Sequence, residues 1–79
     1  MNQLNQIKWR CRRGVLELDL ILHRFYEKGF PSLNDDDKAL FSALLNLQDP
    51  VLISWLIKRN SADKKYQALV KKILSDEYL

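Results

Sequence analysis

Residues 15–29 read V-L-E-L-D-L-I-L-H-R-F-Y-E-K-G, and two incompatible patterns share this stretch. Taken from Leu16 to Leu20, apolar and acidic residues alternate with the period of two that marks a strand. Taken over its whole length, Leu18, Ile21, Leu22 and Phe25 fall at the i, i+3, i+4, i+7 spacing of a helix face. The length of the run and the Glu and Lys around it favour the helix. Gly29, followed closely by Pro31, is expected to end it through a left-handed residue.

Working outward, the same period recurs. Towards the N-terminus, Leu4, Ile7 and Cys11 form a narrow stripe on a short helix from Asn2 to about Arg12. Gly14 then interrupts a basic run and marks a corner, because glycine in mid-helix costs about 1 kcal/mol relative to alanine. Downstream, Asn34 is expected to cap a helix whose first turn holds Asp35, Asp36 and Asp37, where the helix dipole favours negative charge. Leu40, Phe41, Leu44 and Leu45 form its buried face. Asp49-Pro50 reads as N-cap and first position of the next helix, with Leu52, Ile53, Leu56 and Ile57 as its stripe, Trp55 in the core and Asn60-Ser61 as its close. A last helix from about Asp63 carries Tyr66, Leu69, Val70, Ile73 and Leu74. The expected fold is a small, compact all-α domain of five helices, residues 1–79.

Composition supports that architecture and excludes others. With 79 residues, two Gly and two Pro, the chain is too short for a large cofactor-binding fold and poor in the residues of turn-rich β proteins. Hydrophobic residues make up 47% of the chain, too many for a disordered one. A single cysteine permits no internal disulfide and no Cys/His zinc cluster. The N-terminal residues lack the apolar run of a signal peptide, and no segment has the length of a membrane span, which favours the cytoplasm. The formal charge of +3 is distributed as a basic start, an acidic middle and a basic end. Such ends suit nucleic acid or an acidic protein surface, and charge alone does not choose between them.

Catalytic chemistry has few candidates. His23, the one histidine, stands between Leu22 and Arg24 without a recognisable partner and reads as a surface or boundary residue. Cys11 lies among Arg10, Arg12 and Arg13, which favours a thiolate; burial as a small apolar residue is the alternative. Three successive aspartates fan out by about 100° each on a helix and converge poorly on one ion, so helix capping is the better reading. No Gly-rich phosphate loop is present. That leaves Trp9, Arg10, Arg12, Arg13, Gly14 and Glu17. A ring among cations is what a nucleic-acid surface needs. A corner at Gly14 that admits a partner's backbone, with Glu17 in the next first turn placed to pair with Arg13, describes a protein-docking patch. Trp9 fits either the core or an interface.

The run Trp9-x-Cys11-Arg12-Arg13-Gly14-x-x-Glu17-Leu18-Asp19 resembles the R-G-x-x-E region of the succinate dehydrogenase FAD assembly factors, the SdhE family. The likeness continues through Ser32-Leu33, Asp35-Asp36, Lys38, Phe41, Leu44-Leu45, Asp49-Pro50, Leu52 and Trp55-Leu56. It reaches Ile57 and leaves residues 58–79 unmatched. The resemblance implies a small five-helix protein that is not itself an enzyme. It binds the flavoprotein subunit of succinate dehydrogenase, and in bacteria often that of fumarate reductase, and promotes covalent attachment of FAD to it. It implies no FAD held stably by the chain itself, since the cofactor is delivered to or attached on the partner.

By match, Arg13, Gly14 and Glu17 are the flavoprotein-binding residues, supported by Trp9, Arg12 and Asp19, with Leu16 inside the motif read as facing the core. No nucleic acid and no membrane insertion are expected, and without a long heptad seam the chain is expected to be a monomer. An antitoxin of a toxin–antitoxin pair, a label some family members have carried, is the runner-up. A small basic nucleic-acid-binding module is third.

Overall fold

The computed structural model describes residues 3–75. The expected helix start at Asn2 and the Leu4 side chain lie outside the described residues. The helices are α1 (Gln3–Arg10), α2 (Leu16–Lys28), α3 (Asp35–Leu44), α4 (Asp49–Leu52) and α5 (Gln67–Ile73), with no strand among the described residues. The strand reading of residues 16–20 fails, and the helix explains where its leucines go. At 100° per residue Leu16 and Leu20 each stand about 160° around the axis from Leu18. Leu18 is accordingly fully buried, while Leu16 is 75% and Leu20 50% exposed. The expectation that Leu16 faces the core is therefore wrong, for a geometric reason.

The inward face of α2, Leu18, Leu22 and Phe25, packs against the end of α4 and against α5, and α3 also packs on α5. Phe25 and Phe30 both lie tilted on Phe41, with ring centroids 5.4 and 5.5 Å away. Trp55 packs on Tyr66 at 5.6 Å. Such tilted contacts add to the area term that dominates core burial. The Cα radius of gyration, 11.5 Å, equals the value of about 11.6 Å that size scaling gives for a chain this long.

Three local features depart from expectation. Gly29 is right-handed, at φ −103°, because the chain continues directly into a 3₁₀ turn, Phe30–Ser32, that carries Phe30 into the core. Gln48 rather than Asp49 precedes the first turn of α4, so Asp49 is the first helical residue and its carboxylate is free for another partner. Beyond Leu52, α4 widens into a π-helical turn over Ile53–Ile57, closed by Lys58 N–H donating to the Ile53 carbonyl at 3.0 Å. Arg59 then adopts a left-handed conformation, φ 61°. Asn60 takes part in the close as expected, its backbone N–H donating to the Ser54 carbonyl at 2.9 Å.

The cap at Asn34 forms as expected: its Oδ1 accepts from the Asp37 N–H at 2.8 Å. Asp37 also pairs with Lys72 of α5 at 3.1 Å. No single helix among the described residues is long and apolar enough to cross a membrane. The α3 helix and Asp49–Ile57 reach that length only together, and they are bent by 117°.

Candidate functional site: the corner between α1 and α2

Gly14 turns the chain from α1 into α2 at φ +85°, a conformation costly to any residue with a side chain. A Cβ at this position would meet no atom within 4 Å. The glycine is thus required by its backbone angle. No internal crowding demands it.

The corner is held from two sides. Asp19, one turn into α2, reaches back so that Oδ1 accepts from the Arg13 N–H at 2.6 Å and Oδ2 from the Gly14 N–H at 3.3 Å. These are charge-assisted bonds to amides that no helix would otherwise satisfy. On the other side the Arg13 guanidinium is used along its whole edge. Nε donates to Asp49 Oδ1 at 2.8 Å, Nη1 to the Leu45 carbonyl at 2.7 Å and Nη2 to the Leu47 carbonyl at 2.6 Å. Its side chain is only 15% exposed. Arg13 therefore pairs with Asp49, not with Glu17 as the sequence suggested. The α3–α4 loop presents its carbonyls to the arginine, and the Asp49 carboxylate lies beside them.

Arg10 repeats the arrangement one turn earlier. Its Nη1 donates to Ser42 Oγ at 3.1 Å, and Nη2 to the Ser42 carbonyl and Asn46 Oδ1, both at 2.6 Å. Two of the three arginines in the basic run thus work inside the fold. Arg12 and Lys8 are exposed.

What the corner presents to solvent is different. Glu17 is exposed in the first turn of α2 and has no ion pair or hydrogen bond to its carboxylate among the described residues. Trp9, Leu16 and Leu20 are the large apolar side chains left exposed among the described residues, and all belong to the segment around this corner. Trp9 stands out, 64% exposed. Among the candidates read from sequence, Trp9, Arg12, Gly14 and Glu17 lie on the surface, while Arg13 and Asp19 build the frame beneath them. Asp49 was not read as part of the site, and Arg10 was read only as a cation of a nucleic-acid surface. The Asp-Pro signal of Asp49 pointed to capping instead, and nothing in sequence pairs it with Arg13. Leu16 and Leu20 were also missed, although their place opposite the buried stripe of α2 is the signal that finds them.

No group of three or more His, Cys, Asp or Glu side chains is placed to hold a metal ion among the described residues. Cys11 is fully buried, and burial pushes its thiol up from 9.0 to about 12 against the opposing pull of Arg10 and Arg13. The reactive-thiolate reading is thereby excluded by desolvation. A maleimide is expected to label Cys11 only on unfolding. Because the folded thiol binds its proton more tightly, stability is fully present below pH 9 and falls as pH rises from 9 towards 12. Urea titrations across that range check the sign, using Cys11→Ser to separate this group from the lysines and tyrosines.

The described residues thus form a small all-helical domain with one polar corner beneath an exposed apolar and acidic surface. The chain matches, over residues 5–77, the family described as flavinator of succinate dehydrogenase, and it belongs to that family. The match includes α5, which the resemblance read from sequence did not reach. Relatives named FAD assembly factor SdhE include those of Coxiella burnetii, 42% identical over 86% of this chain and 84% of the relative, and Haemophilus influenzae, 46% identical over 86% and 81%. The protein of that name from Pseudomonas savastanoi is 40% identical over 91% of this chain and 87% of its own. No solved structure gives a significant match.

Proposed function

We propose that this protein acts as an FAD assembly factor, docking on the flavoprotein subunit of succinate dehydrogenase, and also on that of fumarate reductase, through the α1–α2 corner. The observation that carries the site is the coincidence of the exposed large side chains, Trp9, Leu16 and Leu20, with a glycine corner and an unpaired Glu17. Exposed apolar anchors beside a preformed polar surface are what partner recognition needs. Gly14 lets the partner's backbone approach, Glu17 supplies a charge for a cation on the partner, and Trp9 and Arg12 extend the contact. Arg13 and Asp19 act as positioning residues.

Covalent flavinylation requires the flavin held against a histidine of the flavoprotein. Positioning of that kind contributes several kcal/mol to a reaction. A helper achieves it by binding more tightly to the reactive arrangement of its partner than to others. The reacting groups then belong to the partner, and the helper needs neither a catalytic set nor a resident cofactor. Nucleic-acid binding is the weaker reading, because Arg10 and Arg13 are occupied by carbonyls and side chains of α3 and its loop.

The test mixes this protein with the apo flavoprotein subunit and FAD and reads covalent flavin as fluorescence surviving a denaturing gel. Acceleration by the parent and its loss in Glu17→Ala, with unchanged thermal unfolding, are the expected results. No acceleration and no complex with a flavoprotein would reject the proposal.

A further inference from the structure

Glu17 faces two ways. Beyond the corner it also lines a hollow of about 200 Å³ between α2, the end of α4 and α5, together with Leu20, Ile21 and Leu74. Ile73, Arg24 and Arg59 complete the lining. Neither arginine side chain has a hydrogen bond, ion pair or ring contact among the described residues. The hollow thus joins an apolar surface to two unpaired cations, and it shares a residue with the proposed docking corner.

Arg59 is the informative member. It holds φ 61°, where glycine or asparagine fits with less strain and other side chains are disfavoured. The close of α4 is secured around it by backbone and side chain of Asn60, whose Nδ2 donates to Ser54 Oγ at 3.0 Å. None of those bonds uses the Arg59 guanidinium. A strained backbone position therefore carries an exposed cationic side chain with no hydrogen bond or ion pair among the described residues, which is where a role in binding is to be sought.

We propose that the hollow beside Glu17 is a second part of the docking surface, in which Arg24 and Arg59 take a carboxylate-bearing segment of the flavoprotein while Leu20, Ile21 and Leu74 receive its apolar neighbour. This rests on the flavoprotein reading above. Charge complementarity and continuity with the corner through Glu17 identify the occupant's chemistry. The acidic segment meets the arginines, and the cation that meets Glu17 comes from another part of the same partner.

The experiment measures binding to the apo flavoprotein subunit at low and high ionic strength for the parent, Arg59→Gly, Arg24→Gln, the double variant and Glu17→Ala, with a thermal melt of each. Arg59→Gly relieves the backbone while deleting the cation, so its Tm should equal or exceed the parent's. Its affinity should fall about tenfold at low salt, with a shallower salt dependence, as loss of an interfacial charge produces. Arg59→Lys should retain most of the binding. Unchanged affinity in both single variants and the double, with Glu17→Ala still defective, would overturn this inference and leave the corner standing. Failure of the parent to bind would remove both. A lower Tm for Arg59→Gly would show the arginine serving the fold, and a change in self-association alone would assign the hollow to a second copy of this chain. Either result overturns the inference.

Discussion

Arg13→Ala is expected to lower stability by about 2–4 kcal/mol, the range for removing several hydrogen bonds to a charged group and leaving its partners unsatisfied. The substitution leaves the Leu45 and Leu47 carbonyls without their donor and Asp49 without its counter-ion. Solvent recovers part of the loss, because Asp49 is 40% exposed, which is why the upper end of the buried-pair range is not reached. In a domain of this size the deficit should lower Tm by about 10–20 °C. Arg13→Lys should recover less than half, since one ammonium cannot reach three acceptors set along a planar fork. Urea unfolding reads the effect directly. A melt within 2 °C or so of the parent, small on the scale of about 4–8 °C per kcal/mol, would show that the network contributes little. Asp49→Asn should be milder, because the carbonyl bonds survive.

Gly14→Arg should abolish acceleration of flavinylation, and two companion variants reveal why. Any side chain at φ +85° strains the backbone by about 1–2 kcal/mol, with asparagine the mildest offender. Open space around the site means that an added Cβ meets no atom within 4 Å. If backbone strain were the whole effect, Gly14→Asn would be less harmful than Gly14→Ala. If a partner approaches the glycine closely, the larger asparagine is the worse of the two in flavinylation while being the better in thermal stability. The second ordering is expected, and the reverse would move the contact away from the corner.

Much of the architecture is legible in the order of residues. The 3.6-residue period of α2 resolves its own ambiguity, since the same leucines that mimic a strand divide cleanly between core and solvent on a helix. Asn34 announces a cap and forms one. Chain ends of helices are less legible: Gly29 carries a stop signal, but burial of Phe30 draws the chain onward in a right-handed turn. Nor does sequence announce the widened turn at Ile53–Ile57, within which Trp55 packs on Tyr66. At the corner, the motif mixes two kinds of residue. Gly14 and Glu17 face outward; Arg13 and Asp19 face their own chain. Their separation depends on Asp49, 36 positions from Arg13, and no local pattern reports a contact at that range.

The reach of Arg13 has a practical corollary for anyone designing a competitor. A peptide spanning residues 9–20 would contain Trp9, Gly14 and Glu17 but neither of the α3–α4 loop carbonyls that hold the arginine, and twelve residues are too few for a stable helix in water. It would have to order itself at the moment of binding and would compete weakly. Effective mimicry requires the α3–α4 loop as well, or a covalent staple standing in for it.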